Sequence, residues 1–192
     1  MFFVSHTATP SARPNARIMV VLIAGPEPST LAPEDLAPWR QLIPSAMWAL
    51  IGLTQVNRTT ILDNIAALMK RRAANPRRLI LLGCGETGRR AFELVAQGTI
   101  DCAGIVAIDI PCHPLSFAIV PTPTAIRLVV HHHGSGRAGD GLVEQLQRAD
   151  IDVRVIGLGA VAANKSATIA SAAEAFVLEL AAMVGRHSGH GA

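Results

Sequence analysis

Leu79-Ile80-Leu81-Leu82-Gly83-Cys84-Gly85-Glu86-Thr87-Gly88-Arg89-Arg90 is the stretch whose residue types and spacing could do chemistry. A buried-type apolar run breaks into glycines and then takes up a helical pattern, which predicts strand, sharp turn, helix. At such a turn an α/β protein presents a reactive or ligand-binding group at the carboxyl edge of a parallel sheet. Two motifs compete for it. Gly83, Gly85 and Gly88 match the dinucleotide fingerprint G-x-G-x-x-G, and Asp109, about 20 residues further on, stands where an acid would hold a ribose hydroxyl. The same residues match the frame of the G-x-S-x-G nucleophile elbow, with Gly85 in the place of the serine. On that reading the frame is present and the nucleophile is missing.

Other reactive side chains follow the strands on either side. Cys84 precedes the turn position, Cys112-His113 follow one apolar run, and His131-His132-His133 end the next. If the strand ends are neighbours, a Cys-His pair among Cys84, Cys112, His113 and His133 could supply a displaced thiolate nucleophile. Cys112, His113 and part of the histidine triplet could alternatively hold zinc. The plainer expectation is that the cysteines pack as small apolar residues, that no metal is bound and that no cofactor is needed.

These residues need a scaffold, and the rest of the chain alternates short apolar runs with longer amphipathic ones. Strands are expected at 18–24, 79–82, 104–110, 126–130 and 153–158, and helices at 34–42, 60–72, 86–97, 140–149 and 167–184, with Gly98 as a helix stop. Residues 47–53 read equally as a short strand or a buried helix. The alternation implies a three-layer α/β/α sandwich around a mostly parallel sheet. Two strands precede the glycine turn, whereas a dinucleotide domain usually opens on it.

Taken in order, several segments resemble the small carboxylesterase, phospholipase and acyl-thioesterase branch of the α/β-hydrolase family. Gly83-Cys84-Gly85-Glu86-Thr87-Gly88 stands for its G-F-S-Q-G-G elbow, and Ala103-Gly104-Ile105-Val106-Ala107-Ile108 for its A-G-V-V-A-L strand. Ile126-Arg127-Leu128-Val129-Val130-His131-His132-His133-Gly134 resembles the strand ending in H-G before the catalytic acid, and the segment from Leu142 to Val155 resembles L-x-x-A-G-x-D-V. The resemblance implies that fold without its leading antiparallel strands, and a serine-histidine-acid triad with backbone donors for an oxyanion. This chain departs at each triad position. Gly85 replaces the serine, Arg137 falls where the acid belongs, the loop 157–165 has no histidine, and Pro26 after the first strand has no N–H to offer. The expectation is a noncatalytic relative that uses Gly25, Gly83, Gly85 and Glu86 to bind a small acyl ligand, or that binds a protein partner.

Composition sets the remaining bounds. A chain of 192 residues, 50% apolar and 16% charged, can bury a core of its own. Residues 1–16 are expected to form a flexible arm, 17–185 one domain and 186–192 a frayed tail. No run of consecutive apolar residues reaches the length of a membrane span, and the start has no basic segment ahead of its apolar patch, so no signal peptide is expected. Three irregularly spaced cysteines do not make a disulfide framework and point to the reducing cytoplasm. The net charge of +3 is mild, and Lys70-Arg71-Arg72 and Arg77-Arg78 read as a solvated helix end rather than a nucleic-acid surface.

Overall fold

The computed structural model describes residues 17–26, 36–131, 140–158 and 165–187. His132, His133, Arg137, most of the 157–165 loop and the expected 1–16 arm lie outside them. Six strands, β1 (Met19–Ala24), β2 (Met47–Gly52), β3 (Leu79–Cys84), β4 (Gly104–Ile108), β5 (Ala125–His131) and β6 (Val153–Leu158), form one sheet in the order β2-β1-β3-β4-β5-β6. Every neighbouring pair is parallel. The register aligns Val21 with Leu81, Leu81 with Ile105 and Ile105 with Ile126, which stacks the branched side chains of adjacent strands in rows.

Helices cover both faces, so the inner strands are apolar at consecutive positions instead of alternating. Helices α2 (Arg58–Arg72), α3 (Gly85–Ala96) and α4 (Asp140–Arg148) cover one face, where Ile61, Ile65, Phe92, Val95, Leu142 and Leu146 meet Val21, Leu81, Ile105 and Leu128. Helices α1 (Leu36–Leu42) and α5 (Lys165–His187) cover the other, where Trp39, Phe176, Val177 and Leu180 meet Val20, Leu22, Ile80 and Val106. Gly104 allows the second layer to close, because a Cβ there would stand 2.8 Å from Leu180 Cδ1. By length and composition α5 could cross a membrane, but Ile169, Ala173, Phe176, Val177 and Leu180 are buried against this sheet.

Local signals explain most boundaries. Asn57 Oδ1 accepts the Thr60 amide at 2.8 Å and starts α2, while Lys70, Arg71 and Arg72 occupy its last turn, where cations are favoured. After α3, Gly98 takes φ +67, and the amides of Gly98 and Thr99 donate to Val95 O and Leu94 O, a Schellman-type stop. The ambiguous run at 47–53 is a strand: its pairing with β1 satisfies the backbone of an edge segment too short for a stable helix. The fourth run stops at Ile108, two residues early, because Asp109 turns to φ +50 ahead of Pro111. Helix α5 continues through Arg186 to His187, the first two residues of the expected tail, and Arg186 complements the carbonyl end of the helix.

Candidate functional site

The sheet order reverses between β1 and β3, and the chain leaves these two strands toward opposite layers. After β1 it leads to α1, on one face, and after β3 it enters α3, on the other. Diverging connections open a notch at the carboxyl ends of adjacent strands, the place where open α/β sheets bind ligands. Ala24-Gly25-Pro26 and Cys84-Gly85-Glu86 border it. The basic cluster of residues 70–78 precedes β3 and therefore lies at the opposite edge of the sheet.

Three close approaches shape the turn. Gly83 and Gly88 face each other across the strand–helix junction: a Cβ at Gly83 would lie 2.8 Å from Gly88 Cα, and one at Gly88 would collide with the Gly83 carbonyl. Gly25 packs the β1 loop onto the first turn of α3, where a Cβ would strike Thr87 Oγ1 and crowd Val56 Cγ2. Gly85 differs from all of these. It has φ +54, a conformation L side chains rarely adopt, and among the described residues nothing stands within 4 Å of where its Cβ would be. The apex of the turn therefore points into open space while its supports are packed to contact.

The electrostatics suit a weak negative group. Helix α3 starts at Gly85 with Cys84 as its N-cap residue and no side-chain hydrogen bond closing its first turn. Early helix amides and the macrodipole favour an anion there. Glu86 is exposed and its carboxylate pairs with Arg90 Nε at 2.9 Å, which offsets the charge it would set against a ligand. Further along α3, Val56, Asn57, Arg58, Arg90, Glu93, Leu94 and Gln97 line an open groove of about 350 Å³ between α2 and α3. Arg58 is held across it by hydrogen bonds to Gln97 Oε1 at 2.6 Å and Thr99 Oγ1 at 2.9 Å.

The thiols sit differently. Cys84 is half-buried and packs against the α1/α5 layer, away from the apex. Cys112 is also half-buried, and its Sγ donates to the Ile110 carbonyl at 3.3 Å. Burial raises its thiol pKa, with Arg89 opposing and Asp109 adding to the rise. A raised pKa disfavours the thiolate that a displaced nucleophile would need. His113 is exposed. Cys102 lies before β4 at the far edge, where burial pushes its thiol up to about 12. Among the described residues no three His, Cys, Asp or Glu side chains converge as a metal site.

One arginine that pattern reading passes over holds the carboxyl edge. Arg89, buried on the first turns of α3, reaches Glu93 Oε1 and the Pro111 carbonyl, both at 2.9 Å, and lies over the Phe92 ring at 5.7 Å. It ties the loop after β4 to the elbow helix. Its spacing to Phe92 and Glu93, three and four residues along a helix, was the available signal. Gln145 completes the tie from α4, accepting the Leu115 amide at 2.7 Å and donating to the Leu115 carbonyl at 3.2 Å.

No family sequence model matches the chain, and no curated protein sequence does. Solved structures do. The chain is similar to YahD, determined with malic acid, at TM-score 0.62 and 10% identity over 86% of this chain and 96% of that one. It is similar to esterase PE8 at TM-score 0.60 and 15% identity, over 86% and 94% of the two chains. Similarity to Arabidopsis thaliana SOBER1 spans 88% of this chain and 99% of that one, at TM-score 0.57 and 11% identity. These likenesses show the fold, that of the α/β-hydrolases.

Proposed function

We propose that this chain is an α/β-hydrolase-fold protein without a nucleophile, which binds a small carboxylate or acyl ligand at the strand–helix turn and does not turn it over. One observation carries the reading: Gly85 holds the apex of the turn at φ +54 with open space before it, so the supporting geometry stands where no side chain can attack. An acyl-enzyme needs such an attacking group. Two placements weigh against a thiol as substitute: Cys84 packs toward the other layer, and Cys112 is held to a backbone carbonyl. In support of a carboxylate, the first-turn amides of α3 favour negative charge, and YahD carries malic acid on the same fold.

The test joins chemistry to binding. The purified protein is expected neither to hydrolyse short-chain nitrophenyl esters nor to take up a fluorophosphonate label. Titration with malate or butyrate should shift the backbone amide resonances of Gly85, Glu86 and Thr87, and Gly85→Val, which fills the notch, should abolish the shifts. Stoichiometric labelling overturns the noncatalytic reading, and loss of that label in Cys112→Ser would identify a displaced nucleophile. Unmoved amides at millimolar ligand would overturn the carboxylate assignment.

A further inference from the structure

We propose that the β6 edge is a self-association surface, on which a second copy of this chain adds its own β6 antiparallel across a two-fold axis at Val153. Strand β6 ends the sheet, and the Ile126 amide donates to the Asp152 carbonyl at 2.8 Å. This bond sets the phase of the strand: the backbone groups of 152, 154 and 156 turn toward β5, and those of Val153, Val155 and Gly157 turn outward. Among the described residues no strand pairs with that outer row. Arg154 and Val155 are exposed, at 64% and 37%.

Charge selects both the partner and the register. Asp152 is bound through its two oxygens to the buried Arg127, at 3.2 and 2.9 Å, yet its side chain remains 49% exposed. Arg154 pairs with Glu179 at 3.0 Å and is likewise open to solvent. In an antiparallel pair, residues directly opposite share a face of the sheet. With the axis at Val153, Asp152 of each copy lies opposite Arg154 of the other, two complementary pairs from one self-complementary strand. Moving the axis to Asp152 sets Asp152 against itself, and moving it to Arg154 sets Arg154 against itself. Like charges directly opposite are unfavourable, so these slipped registers are rejected. In the accepted register Val153 faces Val153 and the Val155 amide reaches the Ile151 carbonyl, while the Ile151 amide stays with Leu146 O at 3.2 Å.

Sedimentation velocity over a concentration series tests this on the full chain, with circular dichroism as a folding control. The wild type should show a concentration-dependent dimer. Arg154→Glu sets a carboxylate against the opposing Asp152, and Val155→Pro removes an outward amide that the protein's own sheet does not use. Each should weaken the dimer at least roughly tenfold while the folded spectrum is kept. Val153→Cys should form a disulfide-linked dimer on mild oxidation, since hydrogen-bonded antiparallel partners place Cα atoms about 5.5 Å apart, within disulfide reach. Ala49→Cys on the opposite edge strand should not. A monomer at all concentrations overturns the proposal, and so does a dimer that survives both Arg154→Glu and Val155→Pro.

Discussion

Gly85 and Gly88 sit three residues apart and constrain the chain in opposite ways. At Gly85 the obstacle to a side chain is the backbone alone, because φ is +54 and the space beyond is open. A non-glycine residue in the left-handed region costs about 1–2 kcal/mol. At Gly88 the obstacle is contact, because a Cβ would collide with the Gly83 carbonyl, and backbone has little room to yield. Gly85→Ser is therefore expected to fold with about 1–2 kcal/mol less stability in urea denaturation and to show no measurable esterase turnover. Gly88→Ala should lose about 3 kcal/mol or more by the same measurement. Equal losses would contradict this division of roles, and robust turnover by Gly85→Ser would reveal a working base. The sequence made this turn legible because three glycines at a strand–helix junction have few other uses. It did not reveal Gly25 as the partner of Thr87, since that contact joins segments brought together only by the sheet.

Arg127 shows what periodicity leaves out at the scale of elements. It lies in the middle of β5, inside an apolar run, and is fully buried. Its guanidinium reaches Asp152 beside β6 and Glu179 on α5, at 2.9 and 2.8 Å, so one side chain fastens two strands and the covering helix. Burial works against its charge, but the hydrogen bonds and attraction of Asp152 and Glu179 prevail, and its pKa is raised. Strand β5 was recognisable from its neighbours in sequence. The tether was not, because both carboxylates are distant along the chain. Removing one partner of a buried ion pair typically costs 3–5 kcal/mol, chiefly by stranding the other charge. Here Asp152 is 49% and Glu179 25% exposed, so water can take over much of their solvation. Arg127→Met keeps the buried stem and is expected to cost only about 1–2 kcal/mol, whereas Arg127→Ala adds a cavity and should cost about 3 kcal/mol or more. Thermal or urea melts of the two variants measure the difference. A Met variant as unstable as the Ala variant would mean that the charge, not the packing, holds α5 down.

For the whole molecule, where the glycine turn falls in the sheet bears on the competing dinucleotide reading. The layers and strand positions were readable from the alternation of elements, but the order β2-β1-β3-β4-β5-β6 was not, because apolar strands of similar length carry no label for their neighbours. That order puts the glycine turn on the third strand of the chain, beside the first. A fingerprint Gly88 would serve helix–strand packing in either frame, so its contact with Gly83 does not discriminate. Gly85, at φ +54 with open space before it, stands at the apex of the turn in either frame. Asp109 has φ +50 and gives its amide to Val129 O at 2.7 Å, so it closes β4 against β5. Glu86 adds a carboxylate to the first turn of α3, and its pairing with exposed Arg90 offsets that charge only in part, so a doubly charged pyrophosphate is disfavoured more than a single carboxylate. Millimolar NAD or NADP is accordingly expected to leave the melting temperature unchanged, in the wild type and in Asp109→Ala alike. Ligand at a hundred times its Kd would add about 2.7 kcal/mol, well within what a melt resolves. A saturable shift with NAD that disappears in Gly85→Val would place a dinucleotide at this turn and displace the small carboxylate from it.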